Sequence, residues 1–291
     1  MTHHDYIIAD IRIRCNEDLV ALGIRGFRPF EANTEGMPIA EIIIDRSDTV
    51  VVEGVELATS YLADANADSR FIRTANGYAY EAKRRDGKSP KVLFEIDCTN
   101  NKAVCHIALQ DAIDISLLRF GIWVIFGVVI APLRGIAIHS SAIAYDARAV
   151  LFLGESGTGK STHTRLWREN IENAELLNDD SPIIRIVDGE LRAYGSPWSG
   201  KRPCYINRNL PVAGFVRLSQ APYNEIKTLG AISSIGALLP SCPHIFAADD
   251  YLQDEICTTI DQIIGYTPIY SMKCLPNAEA ARLSHSTIFD Q

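Results

Sequence analysis

Ala149-Val150-Leu151-Phe152-Leu153 runs straight into Gly154-Glu155-Ser156-Gly157-Thr158-Gly159-Lys160-Ser161, and Thr162 leads on through a helical stretch to about Glu169. The five apolar residues have strand length and no polar alternation, the pattern of a buried strand. The next eight match G-x-x-x-x-G-K-[ST] at every fixed position. Glycines in such a loop let the backbone curl until several N–H groups point inward and form a nest for phosphate oxygens. The helix that follows adds unpaired N–H groups and the positive end of its dipole. Lys160 then reaches β- and γ-phosphates, and Ser161 ligates the magnesium that bridges them. The expected nucleotide-binding set is Gly154, Ser156, Gly157, Thr158, Gly159, Lys160, Ser161 and Thr162, with ATP and Mg2+ or Mn2+ as the ligands. Residue usage alone yields the string in roughly one chain per hundred of this length. Its place between a strand and a helix is what the mechanism requires.

Two further features lie in reach of that loop. Leu176-Leu177 leads to Asp179-Asp180, so two carboxylates emerge at a strand's end eighteen residues after Ser161. One can hold the metal and the other can accept a proton from an attacking hydroxyl. Upstream, Gly135-Ile136-Ala137-Ile138 ends on His139. If that strand lies beside Ala149–Leu153, the imidazole comes near the phosphates, where it could ligate metal or donate to the transferring group.

The rest of the chain has two textures. Asp5–Arg14, Ile39–Asp45, Thr49–Val52, Lys91–Ile96 and Ala103–Leu109 read as strands of a β-rich accessory region over residues 1–110, the last two joined by a hairpin at Thr99–Lys102. From Asp111 apolar residues recur at helical spacing, with Asp111 or Asp114 near the start. The expected nucleotide-binding domain spans 111–291. Asp188-Gly189 marks a hairpin between Ile183–Val187 and Leu191–Tyr194, and strands at Val212–Leu218 and Ile269–Leu275 alternate with helices at Asp250–Ile264 and Asn277–Leu283.

Bulk properties exclude several classes. Hydrophobic residues make up 47% and charged residues 22%, and the net charge is −8. That sign repels phosphate backbones, so nucleic acid is not an expected partner. Seven scattered cysteines without a Cys-x-x-Cys pair argue against structural zinc and for reduced thiols in a cytoplasmic protein. The first ten residues lack the apolar core of a signal peptide. Phe120–Leu133 is uncharged but shorter than a membrane crossing, so it reads as a buried core helix.

His139-Ser140-Ser141-Ala142, then Leu151–Gly154 with Ser156–Thr162, then Asp179-Asp180 resemble, in that order, the superfamily of HPr kinase and ATP-dependent phosphoenolpyruvate carboxykinase. Gly195-Ser196-Pro197-Trp198-Ser199-Gly200-Lys201 is similar to a segment of the HPr kinase-related group. The resemblance spans about residues 117–220. It implies an α/β P-loop kinase core with a mixed sheet, His139 near metal or phosphate, Asp179 as base with Asp180 as metal ligand, and Lys201 neutralising transferred charge. It also makes a homo-oligomer an expectation. Carboxykinases use a metal-binding lysine upstream of the histidine, and no lysine lies between Lys102 and Lys160. The leading expectation is therefore an ATP-dependent kinase acting on a hydroxyl, such as a serine, of a peptide, protein or small molecule. The alternatives are an ATP-binding regulator without transferase activity and a small carboxykinase-like enzyme.

Overall fold

The fold is described from a computed structural model over residues 3–46, 51–87, 91–107, 112–200 and 202–290. It is a mixed α/β fold whose two sheets each combine parallel and antiparallel strands. Contacts divide the chain into two compact units, Met1–Pro132 with Ile245–Gln253, and Leu133–His244 with Asp254–Gln291.

In the first unit the stretch Asp5–Arg14, expected as one strand, is a hairpin of β1 (His4–Ile8) and β2 (Ile11–Cys15). Ala9 and Asp10 both take positive φ (50° and 61°), the backbone of a two-residue turn that matches strand twist. The chain continues through β3 (Ala40–Asp45), β4 (Val55–Leu62), β5 (Ala67–Arg73), β6 (Gly77–Arg84), β7 (Val92–Asp97) and β8 (Lys102–His106). The sheet order is β1-β2-β3-β8-β7-β6-β5-β4. Of the expected strand Thr49–Val52, residues 49 and 50 lie outside the described residues, and Val51 and Val52 are not in a strand; Asp111 also lies outside them.

Helix α1 (Ile115–Ile130) is capped by Asp114, whose carboxylate accepts from the N–H groups of Ser116 and Leu117 and pairs with Arg84. It packs on β6 and β7, within the first unit, where the sequence reading opened a second domain at residue 111. A Cβ at Gly121 would stand 2.2 Å from the Phe94 ring, so the absent side chain sets how closely helix and sheet approach. With the turn after it, the stretch Ile115–Leu133 is long and apolar enough to cross a membrane, but 67% of it is buried against the fold, as in a core helix.

The second unit begins with β9 (Gly135–Ala137), β10 (Ser140–Tyr145) and β11 (Arg148–Leu153), then α2 (Lys160–Asn170) and β12 (Glu175–Asp180). β13 (Ile183–Val187) and β14 (Glu190–Tyr194) form the expected hairpin, with Asp188 and Gly189 at φ 50° and 79°. The long β15 (Asn209–Gln220) pairs with β14 at its start and runs parallel to β11 further on. β16 (Glu225–Thr228), α3 (Ala231–Leu238), α4 (Asp250–Tyr266, in this unit from Asp254 onward), β17 (Ile269–Cys274) and α5 (Ala278–Phe289) complete the chain, with β17 parallel to β15. The sheet order β12-β10-β11-β15-β14-β13-β9 places β10 between the strand before the glycine loop and the strand that carries the aspartates.

α2 is anchored by α5. His163 and Trp167 both meet the Ser284 hydroxyl, at 3.0 and 2.9 Å, above a core of Val150, Phe152, Val216 and Met272. Burial pushes His163 down to about 4, so the folded chain holds its ring neutral. Unfolding restores an ordinary imidazole near 6.5, which binds a proton that the folded ring refuses. Stability is therefore full above pH ~6.5 and declines as pH falls toward ~4, by on the order of 3 kcal/mol in all. Urea midpoints measured between pH 7 and pH 4.5 should show this decline, and His163→Gln should flatten it.

Candidate phosphate-binding site

The site follows from strand register. β10 is antiparallel to both neighbours, and Ser140 at its start is opposite Leu153 on one side and Asp180 on the other. One residue earlier is His139; one residue after Leu153 is Gly154. The histidine, the glycine loop and the acidic pair therefore meet at one sheet edge, at the carboxyl ends of β11 and β12. Ligands of open α/β sheets bind at such an edge. The His139 N–H donates to the Ser241 carbonyl at 2.8 Å, and buried Ser141 reaches Thr164 of α2 at 3.1 Å. The first contact fixes the histidine backbone and the second ties α2 to the sheet.

The segment Gly154–Gly159 is curled. Gly154, Gly157 and Gly159 have φ of 149°, 84° and 106°, which side-chain-bearing residues rarely adopt. A Cβ built on Gly157 or Gly159 would meet nothing within 4 Å, so it is the backbone conformation and not crowding that calls for glycine at these two positions. Thr158 stabilises the bend, its N–H and hydroxyl both donating to the Glu155 carbonyl at 3.2 and 2.8 Å. Gly159 is the N-cap of α2, and no side chain caps the helix. The first-turn N–H groups that a helix leaves unpaired are thus presented beside the loop, a fit for phosphate oxygens.

Lys160 folds back along this curl, donating to the carbonyls of Gly154 (2.7 Å) and Glu155 (3.3 Å). Burial lowers its affinity for its proton, while Asp180 and Asp179 oppose that shift. Ser161 donates its hydroxyl to Asp179 at 2.9 Å, and Asp179 is nearly buried. Asp180 is different: its carboxylate is 47% exposed and stands 3.7 Å from His139 Nε2. Burial and then the Lys160 charge hold His139 below the usual imidazole range, with Asp180 opposing, so the ring is neutral at pH 7. A neutral imidazole and two carboxylates can ligate a cation or take up a proton. Among the described residues no group of three or more His, Cys, Asp or Glu side chains is assembled for a metal. Ser161 and Asp179 instead offer two hard oxygens, the partial set that suits magnesium completed by phosphate and water.

The acidic pair is held by the segment Gly195–Gly200. Asn178, fully buried, donates to Ser196 and to the Trp198 carbonyl (3.1 Å), while its side-chain oxygen accepts the Ser181 N–H (2.9 Å). Gly200 donates its N–H to the Asp179 carbonyl at 2.7 Å, and Asp180 bridges Ser199. Between these anchors Asp180 has φ 139°, a backbone region that strains any residue with a side chain. Lys201, expected to neutralise transferred charge, lies outside the described residues. The sequence reading missed Asn178 and Ser199 as supports of the acidic pair. An Asn directly before two aspartates was the available signal.

No known protein family is matched by the sequence, and no curated protein matches it. Among solved structures the chain is similar to the Hpr(Ser) kinase/phosphatase from Coxiella burnetii, with a TM-score of 0.31 and 12% identity over 52% of this chain and 87% of that one. A superposition that loose equates no atoms, and the roles of the residues here rest on their own geometry.

The strain at Asp180 has a direct test. Asp180→Gly and Asp180→Ala both remove the carboxylate, but only glycine accepts φ 139° freely. Denaturant unfolding should find the glycine variant more stable than the alanine variant by ~1–3 kcal/mol. At an ordinary backbone position the order reverses.

Proposed function

We propose that this chain is an ATP-dependent phosphotransferase that moves the γ-phosphoryl group to a hydroxyl. The single observation that carries the reading is the convergence of a curled glycine loop with the Ser161–Asp179 and His139–Asp180 pairs at one sheet edge. The amides of the loop and of the first turn of α2 hold the phosphates, aided by the Lys160 ammonium. Ser161 and Asp179 hold Mg2+, which when bound neutralises charge on the phosphates. Thr158 keeps the loop bent and Gly154 lets it leave β11. Thr162 belongs to the same phosphate-facing turn.

This exchanges the roles assigned to the two aspartates. The hydroxyl of Ser161 donates to Asp179, which supports Asp179 as the metal ligand. Asp180, exposed and next to a neutral histidine, is the carboxylate open to an acceptor and takes its proton. Lys201 retains its proposed role in countering transferred charge. The acceptor is a hydroxyl on a peptide, protein or small molecule, and a serine suits this arrangement. An ATP-binding regulator uses the same loop, but it needs no strained, exposed carboxylate beside the phosphates.

Lys160→Ala should abolish detectable ATP binding in calorimetry, and normal binding would remove the basis of the assignment. Asp180→Asn should keep Mg·ATP affinity while slowing transfer or slow hydrolysis by ~10²-fold or more. Asp179→Asn should instead raise the magnesium concentration needed for half-maximal nucleotide binding. If the two asparagine variants behaved alike, the division of labour would be wrong.

A further inference from the structure

A second cation stands at the loop, and nothing in the phosphate-loop pattern announces it. Arg217 lies on β15 directly opposite Leu153, the last residue before the loop. Its guanidinium donates to the Ala237 carbonyl at the end of α3 (3.2 Å) and faces the Glu155 carboxylate in the loop at 3.8 Å. Three residues on, Gln220 donates to the Gly157 carbonyl at 3.0 Å, so β15 braces the loop at two points. The two contacts of Arg217 differ in kind. Ala237 is a fixed backbone acceptor, whereas Glu155 is 82% exposed, and an exposed ion pair at this separation is weak.

The direction in which the arginine acts follows from Lys160. The amine that reaches the β- and γ-phosphates rests on the carbonyls of Gly154 and Glu155, so this limb of the loop flanks the terminal end of the phosphate chain. Arg217 grips the same limb, and its charge is felt by Lys160. A guanidinium offers planar, paired donors that fit phosphate oxygens better than one carboxylate at 3.8 Å.

We propose that Arg217 reads the terminal phosphate of the bound nucleotide, and that Glu155 competes with that phosphate for the guanidinium. The role rests on the loop's holding a nucleotide, as proposed above. Arg217 thus sharpens the preference for triphosphate over diphosphate beyond what the γ-phosphate contact of Lys160 supplies.

Calorimetric titration of the full chain with Mg·ATP and with Mg·ADP separates the possibilities. Arg217→Ala should weaken ATP by ~10-fold or more and ADP by less than ~2-fold. Arg217→Gln keeps an amide donor for Ala237 without the charge, and should show the same selective loss even if the alanine variant folds poorly. Glu155→Gln should leave ADP unchanged and hold or raise ATP affinity. Equal losses on both nucleotides would reduce Arg217 to a brace of the loop and overturn its role, as would no loss at all. Weaker ATP binding in Glu155→Gln would overturn the competition. If the unaltered chain bound neither nucleotide, the loop reading itself would fail, a result distinct from binding that is indifferent to Arg217.

Discussion

Ser140 is the residue on which the site turns. Because β10 is antiparallel to both β11 and β12, a single register position faces the end of each, Leu153 on one side and Asp180 on the other. A slip of one residue along either neighbour would turn the side chains of that strand to opposite faces and carry Gly154 or Asp180 away from His139. The register is held by apolar pairs such as Ala142 with Leu151 and Ile143 with Val150, all buried. Core packing in the second unit thus places polar groups at its edge. Ser141 extends the same control to α2 through Thr164, so the helix whose N-terminus completes the loop is tied to the strand that carries the register.

Local backbone tension falls on the acidic pair at that sheet edge. Asp180 sits in a conformation that its side chain disfavours, held by Gly200 and Ser199 on one flank and by Asn178 and Ser196 on the other. Each anchor satisfies a buried polar group, which is how a fold maintains strain in one place. The outcome is two adjacent carboxylates with different surroundings: Asp179 turned inward to Ser161 and nearly buried, Asp180 half open beside His139. Such separation of environments within a pair divides roles between otherwise identical groups.

Local chemistry made much of this visible in advance. The glycine loop, the helix from Lys160 and the Asp188-Gly189 turn depend on a few neighbouring residues and lie where the sequence placed them, and the cap at Asp114 is one of the two candidates the sequence offered. Pairing between distant segments was not visible. β4, β5 and β6 mix Ser, Asp, Arg, Lys and Glu with their apolar residues, because one face or an edge of the sheet meets water, and no apolar run marked them. The single strand expected over Asp5–Arg14 concealed a turn, since Ala9-Asp10 carries no glycine to announce positive φ. The helix at Ile115 was legible, but its allegiance to the first sheet depends on Gly121 fitting against Phe94, a contact between residues 27 positions apart. Likewise spacing alone could not decide which of the two aspartates Ser161 reaches.

The most direct measurement is the anomalous scattering of manganese in crystals grown with a non-hydrolysable ATP analogue. The account predicts one strong peak bound by Ser161 Oγ and the Asp179 carboxylate, with the analogue's phosphates on the amides of residues 157–161. Manganese bound away from Ser161, or an analogue seated elsewhere while this loop stays bare, would contradict it.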